Sequence, residues 1–274
     1  MGIVNATPDS FSDGGDHPTL EARVAHGARL LDDGADLLDV GGESARGDRP
    51  AVDVEEEIAR VVPLISRLTA LGAAVSVDTY KPEVAARAIE AGAVLVNDVS
   101  GLRDPAVADV CAQTGAGLVL MHTRVEPKGT LLDTARYDDV VGDVVRFLGE
   151  RIEVALAHGV EFEQLLLDVG PDFAKTPAQT VDVLRAIEPL RALGPPILWA
   201  VSNKDFVGAV TGRGPRERLP GTLAAVSFGA DMGAAVLRVH DVAAAADFLR
   251  MRAVLRGDIA LAPDEGLTPD RYPG

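Results

Sequence analysis

The chain has 274 residues, 42 of them acidic and 26 basic, for a formal charge of −16, with 47% apolar and only 4% aromatic residues. The apolar share is that of a packed globular protein, and without clustered positive charge or aromatic platforms a nucleic-acid partner is not expected. A single cysteine, Cys111, excludes an intramolecular disulfide, and no signal peptide or apolar run of about 20 residues is seen, so a cytoplasmic protein with no membrane partner is expected.

Short runs rich in Val, Ile and Leu recur at 2–5, 36–40, 74–78, 94–98, 117–122, 165–168, 197–202 and 235–240. Helical spacing separates them. The first helix is expected from Thr19 to Gly34, with Leu20, Val24, Ala28 and Leu31 inward. The second places Val54, Ile58, Val61, Ile65 and Leu68 on one face. It starts at Asp53 with Glu56 in the capping-box position, and its acidic first turn suits the helix dipole. Long connections follow the first and fifth runs, at 6–18 and after His122, and either could serve as a lid. Continuous apolar strands alternating with helices imply a parallel sheet covered on both faces, and eight such units fit a closed α/β TIM (β/α)₈ barrel as a single domain. An open doubly wound sheet is the competitor. The barrel is expected over residues 1–256, followed by a frayed tail rich in Pro, Gly and Asp at 257–274.

The runs carry polar residues at their C-terminal ends: Asn5, Asp39, Asp78, Asn97, His122, Asp168, Ser202 with Lys204, and Arg238 with His240. In a barrel this edge forms one mouth, where active sites sit. The carboxylates and amide of Asp39, Asp78, Asn97 and Asp168 could bind a metal. They could equally recognise an amino-pyrimidinone edge, where a carboxylate accepts paired N–H bonds. Lys204, Arg238 and His240, after the last two strands, suggest an anion site, to which Asn5 could add a phosphate contact or a metal ligand.

The string Asn5-Ala6-Thr7-Pro8-Asp9-Ser10-Phe11-Ser12-Asp13-Gly14-Gly15 resembles the first signature of the dihydropteroate synthases. The resemblance continues through Asp39-Val40-Gly41-Gly42-Glu43-Ser44, Asp78-Thr79, Asn97-Asp98-Val99-Ser100-Gly101, Phe173-Ala174-Lys175-Thr176, Gly221-Thr222 and Arg238-Val239-His240-Asp241. It implies a homodimeric TIM barrel that joins 6-hydroxymethyl-dihydropterin pyrophosphate to p-aminobenzoate with Mg²⁺ and releases pyrophosphate in folate biosynthesis. By that resemblance Asp78, Asn97, Asp168, Phe173 and Lys204 hold the pterin, with Asp39 in support. Asn5, Arg238 and His240 take the pyrophosphate, and Asn5 is also the metal ligand. Asp78, Lys204, Arg238 and His240 are the catalytic set. Thr7, Pro8, Phe11, Ser44, Arg46 and Ser202 belong to the second-substrate loops.

The chain departs from the family pattern on the second-substrate side. Ser44-Ala45-Arg46-Gly47-Asp48 lacks a threonine and a proline, Asp172 adds an acid near the mouth, and Asn203 replaces an arginine. Like charge beside the p-aminobenzoate carboxylate is unfavourable, so weak turnover of that substrate is expected. The stretches Ser202-Asn203-Lys204-Asp205 and Arg218-Leu219-Pro220-Gly221-Thr222 look like those of divergent second copies that retain the pterin site but have lost or altered the p-aminobenzoate reaction. A methyltetrahydrofolate-binding barrel serving a corrinoid protein is a lower-ranked alternative, since it needs no pyrophosphate site.

Overall fold

Apolar strands too short to stand alone gain stability by pairing edge to edge and by burial under helices. The computed structural model describes residues 1–7, 19–44, 50–129 and 137–261. It contains β1 (Gly2–Asn5), α1 (Leu20–Asp32), β2 (Leu37–Gly41), α2 (Val54–Ala70), β3 (Ala74–Asp78), α3 (Pro82–Glu90), β4 (Leu95–Asp98), α4 (Ala106–Thr114), β5 (Gly117–Met121) and α5 (Val140–Ala157). It continues with β6 (Leu165–Asp168), α6 (Pro177–Arg185), α7 (Ile187–Arg191), β7 (Ile197–Trp199), α8 (Asp205–Thr211), α9 (Leu219–Asp231), β8 (Val236–Leu237) and α10 (Val242–Arg256).

All eight strands pair in parallel in sequence order. Gly2 pairs with Val239, the Ile3 N–H donates to the Val239 carbonyl at 3.2 Å, and the Val239 N–H donates to the Met1 carbonyl at 2.9 Å. These bonds close the sheet into a (β/α)₈ barrel, and the open-sheet alternative is excluded. The last two strands are shorter than their apolar runs. Beyond them, Val239 keeps a single bridge to β1, while residues 200–202 and 240 lie outside the strands at the mouth.

Side chains alternate between the inside and outside of a barrel. Leu95, Val119, Leu198 and Ala200 form a separate buried cluster with Met1, Leu37, Leu166 and Val236 against it. Two residues further along their strands, Leu37, Leu95, Leu166 and Val236 are followed by Asp39, Asn97, Asp168 and Arg238. An apolar plug therefore fills the barrel beneath a polar layer. The other strand residues Leu38, Val40, Val75 and Val77 join Leu64, Ile65 and Leu68 of α2 in the larger core.

In α1, Thr19 caps the N-terminus by accepting from the Ala22 N–H at 3.2 Å. Leu20, Val24 and Leu31 pack inward as expected, but the most buried positions are Gly27 and Leu30 rather than Ala28. A Cβ on Gly27 would sit 2.5 Å from Leu68 Cδ2, so this glycine lets α1 approach α2 closely and sets the contact line. At α2, Asp53 is the N-cap, yet its side chain makes no capping bond. The acidic first turn is also not all solvated: Glu57 is 1% exposed.

Candidate active site

The polar layer above the apolar plug is tied together across four strands. Asp39 is not at a strand end but in the middle of β2, fully buried. Its Oδ2 accepts from Arg238 Nε at 2.6 Å and from Asn97 Nδ2 at 3.1 Å. Arg238 Nη2 donates to Asp78 Oδ2 at 3.1 Å. Burial alone would lower the Arg238 pKa, but the two carboxylates more than offset it and raise it. Asp78 is pushed up from its ordinary value by burial first and by the neighbouring Asp39 charge second, against the pull of Arg238. Asp39 Oδ1 and Asn97 Oδ1 are buried with no hydrogen-bond partner. Buried orphan acceptors are costly. Two at the floor of one mouth mark a place built to be completed by a donor-rich ligand.

On the opposite wall, β6 ends at Asp168, whose Oδ1 accepts from the Gly170 N–H at 2.8 Å. Gly170 has φ +62°, and a Cβ there would lie 2.1 Å from the His122 carbonyl oxygen, so only glycine fits this turn. Burial raises the Asp168 pKa, opposed by the Gly170 bond and by Lys204, Arg238 and Lys175. Lys204 stands over the Phe173 ring, with Nζ 4.5 Å from the centroid, and its pKa is lowered by burial. At this distance the ammonium is in direct cation–π contact with the ring, which fixes the two side chains against each other. Ser202 Oγ accepts from the His240 N–H at 3.2 Å and lies 2.9 Å from His240 Nδ1, joining the seventh and eighth strand ends. A cleft of about 480 Å³, open to solvent, runs past Asp78, Thr79, Phe173, Glu43, Ser44 and Lys128.

The other expected site residues are less closely knit. Asn5 ends β1 opposite Gly41, and the Thr7 carbonyl accepts from Arg23 Nη2 at 3.4 Å. The Ser44 carbonyl accepts a bond from Lys128 Nζ. Pro8, Phe11 and Arg46, with Ala45, Gly47 and Asp48, lie outside the described residues.

Two expected departures have a different meaning in the fold. Asp172 is no loose acid at the mouth. Its carboxylate accepts from the Asp205 N–H at 2.5 Å and the Phe206 N–H at 3.3 Å, capping the start of α8, and it faces Thr180 Oγ1 at 3.3 Å. Asn203 has φ +56°, a conformation that Asn tolerates better than most residues. Its N–H donates to Thr222 Oγ1 at 3.1 Å, and Arg218 Nη1 donates to its carbonyl at 2.8 Å, so a guanidinium still reaches this turn.

The sequence did not single out two buried charge clusters. Glu43 accepts from Lys81 Nζ at 2.6 Å, Tyr80 Oη at 3.0 Å and the Val52 N–H at 3.0 Å, and pairs with Lys128 at 3.0 Å. Lys81 also donates to Glu57 at 2.5 Å. This cluster anchors the start of the β2–α2 loop to α2 and α3. The second joins Lys175, His122 and Asp143. Their partners lie far away in the chain, and no local spacing reveals them.

Among the described residues no group of three or more His, Cys, Asp or Glu could hold a metal ion by itself. Mg²⁺ bound through phosphate oxygens needs only one or two protein oxygens, and the amide of Asn5 at the barrel mouth fits that lesser demand.

Residues 1–240 match the protein family described as "Pterin binding enzyme". The chain is 42% identical over 253 residues to the dihydropteroate synthase of Bacillus subtilis (strain 168), covering 92% of this chain and 86% of that one. Among solved structures, Xanthomonas albilineans dihydropteroate synthase with 4-aminobenzoic acid superposes with a TM-score of 0.86 at 48% identity, covering 93% of this chain and 92% of that one. The same enzyme in complex with 7,8-dihydropteroate gives 0.83 at 47% identity, with the same coverage. A closed barrel with a donor-seeking polar floor, joined to this degree of likeness along nearly the whole chain, places the protein in the dihydropteroate synthase family of pterin-binding enzymes.

Proposed function

We infer that the protein acts as a dihydropteroate synthase, a transferase that condenses 6-hydroxymethyl-7,8-dihydropterin pyrophosphate with p-aminobenzoate. The observation that carries this reading is the convergence of Asp39, Asp78, Asn97, Asp168 and Arg238 on one interior layer, with orphan acceptors on Asp39 and Asn97. The pterin lies with its N–H edge on Asp168 and Asn97, its ring against Phe173, and its carbonyl oxygen toward Lys204. Asp39 acts through Arg238 and Asn97, which it orients. Pyrophosphate leaves toward Asn5, Arg238 and His240, whose donors stabilise the departing charge. The methylene C–O bond breaks with its electron pair on pyrophosphate, and the arylamine nitrogen then bonds to the resulting pterin cation and loses a proton. Asn5 is the residue that would hold Mg²⁺, which would supply neutralising charge to the leaving pyrophosphate.

The Xanthomonas structures contain 4-aminobenzoic acid or 7,8-dihydropteroate, the second substrate and the product of this reaction. The reading as a divergent copy loses two of its supports, because Asp172 caps a helix and Asn203 occupies a turn that suits it. The corrinoid methyltransferase alternative leaves the Ser202–His240 pair and Arg238 without a pyrophosphate to serve. A homodimer in the cytoplasm belongs to the same reading. No described helix is long and apolar enough to cross a membrane, and Val210, Phe228, Met251 and Leu255 of α8–α10 expose apolar surface.

Calorimetry with pterin pyrophosphate and Mg²⁺ should show binding that Asp168→Ala weakens, at a cost of about 1–3 kcal/mol or more from unpaired donors. Pyrophosphate release should then depend on p-aminobenzoate. No binding at high ligand concentration would remove the pterin assignment, and release that ignores p-aminobenzoate would restore the divergent-copy reading.

A further inference from the structure

Lys175 is 2% exposed, yet it lies outside the set of residues that touch substrate in the proposed reaction. Its Nζ is 2.7 Å from His122 Nδ1, 2.9 Å from the Gly170 carbonyl and 3.1 Å from the Phe173 carbonyl. An ammonium has three N–H bonds, and each finds an acceptor here. Donation to Nδ1 leaves the imidazole proton on Nε2, which points at Asp143 Oδ2 at 3.2 Å. Asp143, on α5, is gripped by Arg124 at 2.6 Å and Arg146 at 2.6 Å. The line therefore runs from the outer helix through β5 to the turn after β6. The two carbonyls that Lys175 holds belong to the residue whose N–H orients Asp168 and to the residue whose ring faces Lys204.

We propose that Lys175 is a positioning residue for the synthase reaction: braced by His122 and Asp143, it locks the β6–α6 turn so that the Asp168 carboxylate and the Phe173 ring are aimed at the pterin. The inference rests on the synthase reading for its substrate. Its charge also counts, because Lys175 is one of the cations that pull the Asp168 pKa down. Burial brings Lys175 itself down to about 7, and the charged groups facing it are Asp168 on β6, Lys204 before α8, Asp143 on α5 and Asp172 in the turn, with neutral His122 just after β5.

The test compares wild type with Lys175→Met, which keeps the length without the donors, and with His122→Leu and His122→Asn, the latter keeping an acceptor for Lys175 Nζ in place of Nδ1. Lys175→Met should raise KM for pterin pyrophosphate by about tenfold or more while leaving KM for p-aminobenzoate within about twofold. It should also move the acid limb of the kcat/KM profile to higher pH as Asp168 loses a stabilising cation. His122→Leu should show a weaker form of the KM change, and His122→Asn should largely restore wild-type values. Unchanged KM for the pterin substrate, an unmoved acid limb, or equal losses for both substrates would overturn the proposal. If Lys175→Met does not fold, the His122 pair decides, and equal behaviour of the two variants overturns it. If wild type has no synthase activity, the synthase reading fails by itself. Calorimetric affinity for pterin pyrophosphate then decides: a drop of about tenfold in Lys175→Met supports the positioning role, and an unchanged affinity overturns it.

Discussion

Arg238 sits between buried Asp39 and half-buried Asp78 and ties the two acids into a pocket floor. A buried pair that loses one partner is destabilised by about 3–5 kcal/mol, and Arg238→Met should approach that loss at about pH 8. At about pH 5 the loss should be smaller. The Asp78 pKa is raised in the folded state, so the native protein holds a proton that the unfolded chain has released, and stability falls as pH rises toward the folded value. Removing Arg238 raises that value further, so acid relieves the defect. Denaturant melts at the two pH values measure this, and equal losses at both would show that Asp78 does not feel the guanidinium.

The turn between β6 and α6 is the element on which the site depends most. Gly170→Ala would force a Cβ to within 2.1 Å of the His122 carbonyl at φ +62°. Strain of this kind costs about 1–3 kcal/mol, so the variant should melt earlier and bind pterin pyrophosphate more weakly. Wild-type affinity would mean that the turn can shift without disturbing Asp168. The neighbouring Asp172 stabilises α8 by capping it, and Asp172→Ala should cost about 1 kcal/mol without improving KM for p-aminobenzoate. A lower KM would instead reinstate charge repulsion of the acceptor carboxylate.

At the scale of the whole barrel, α5, β5 and the β6 turn are linked through a histidine that stays neutral. Burial and the nearby Lys175 charge bring His122 down from 6.5 to about 3. Between those values the unfolded chain takes up a proton that the folded protein refuses, so this contribution to stability is present above about pH 6.5 and is lost as pH falls toward about 3. The loss is at most about 1.4 kcal/mol per pH unit. His122→Asn lacks the titration, so its stability deficit relative to wild type should shrink across that window. A constant deficit in chemical melts would show that His122 is protonated in the native state.

The sequence by itself determined the barrel, because parallel strands covered on both faces must be continuously apolar and their polar ends must share one edge. It also put Asp78, Asn97, Asp168, Lys204 and Arg238 at or beside strand ends, on the one edge where the proposed pterin site lies. Only the tertiary structure decided what those residues do to one another. Asp39 is an interior brace for Arg238 and Asn97, Asp172 is a helix cap, and Glu57 is a buried partner of Lys81. Lys175 finds His122 across 53 residues of chain. Local spacing reports a residue's face and period, whereas a charge's partner is set by which strands the closed barrel brings side by side.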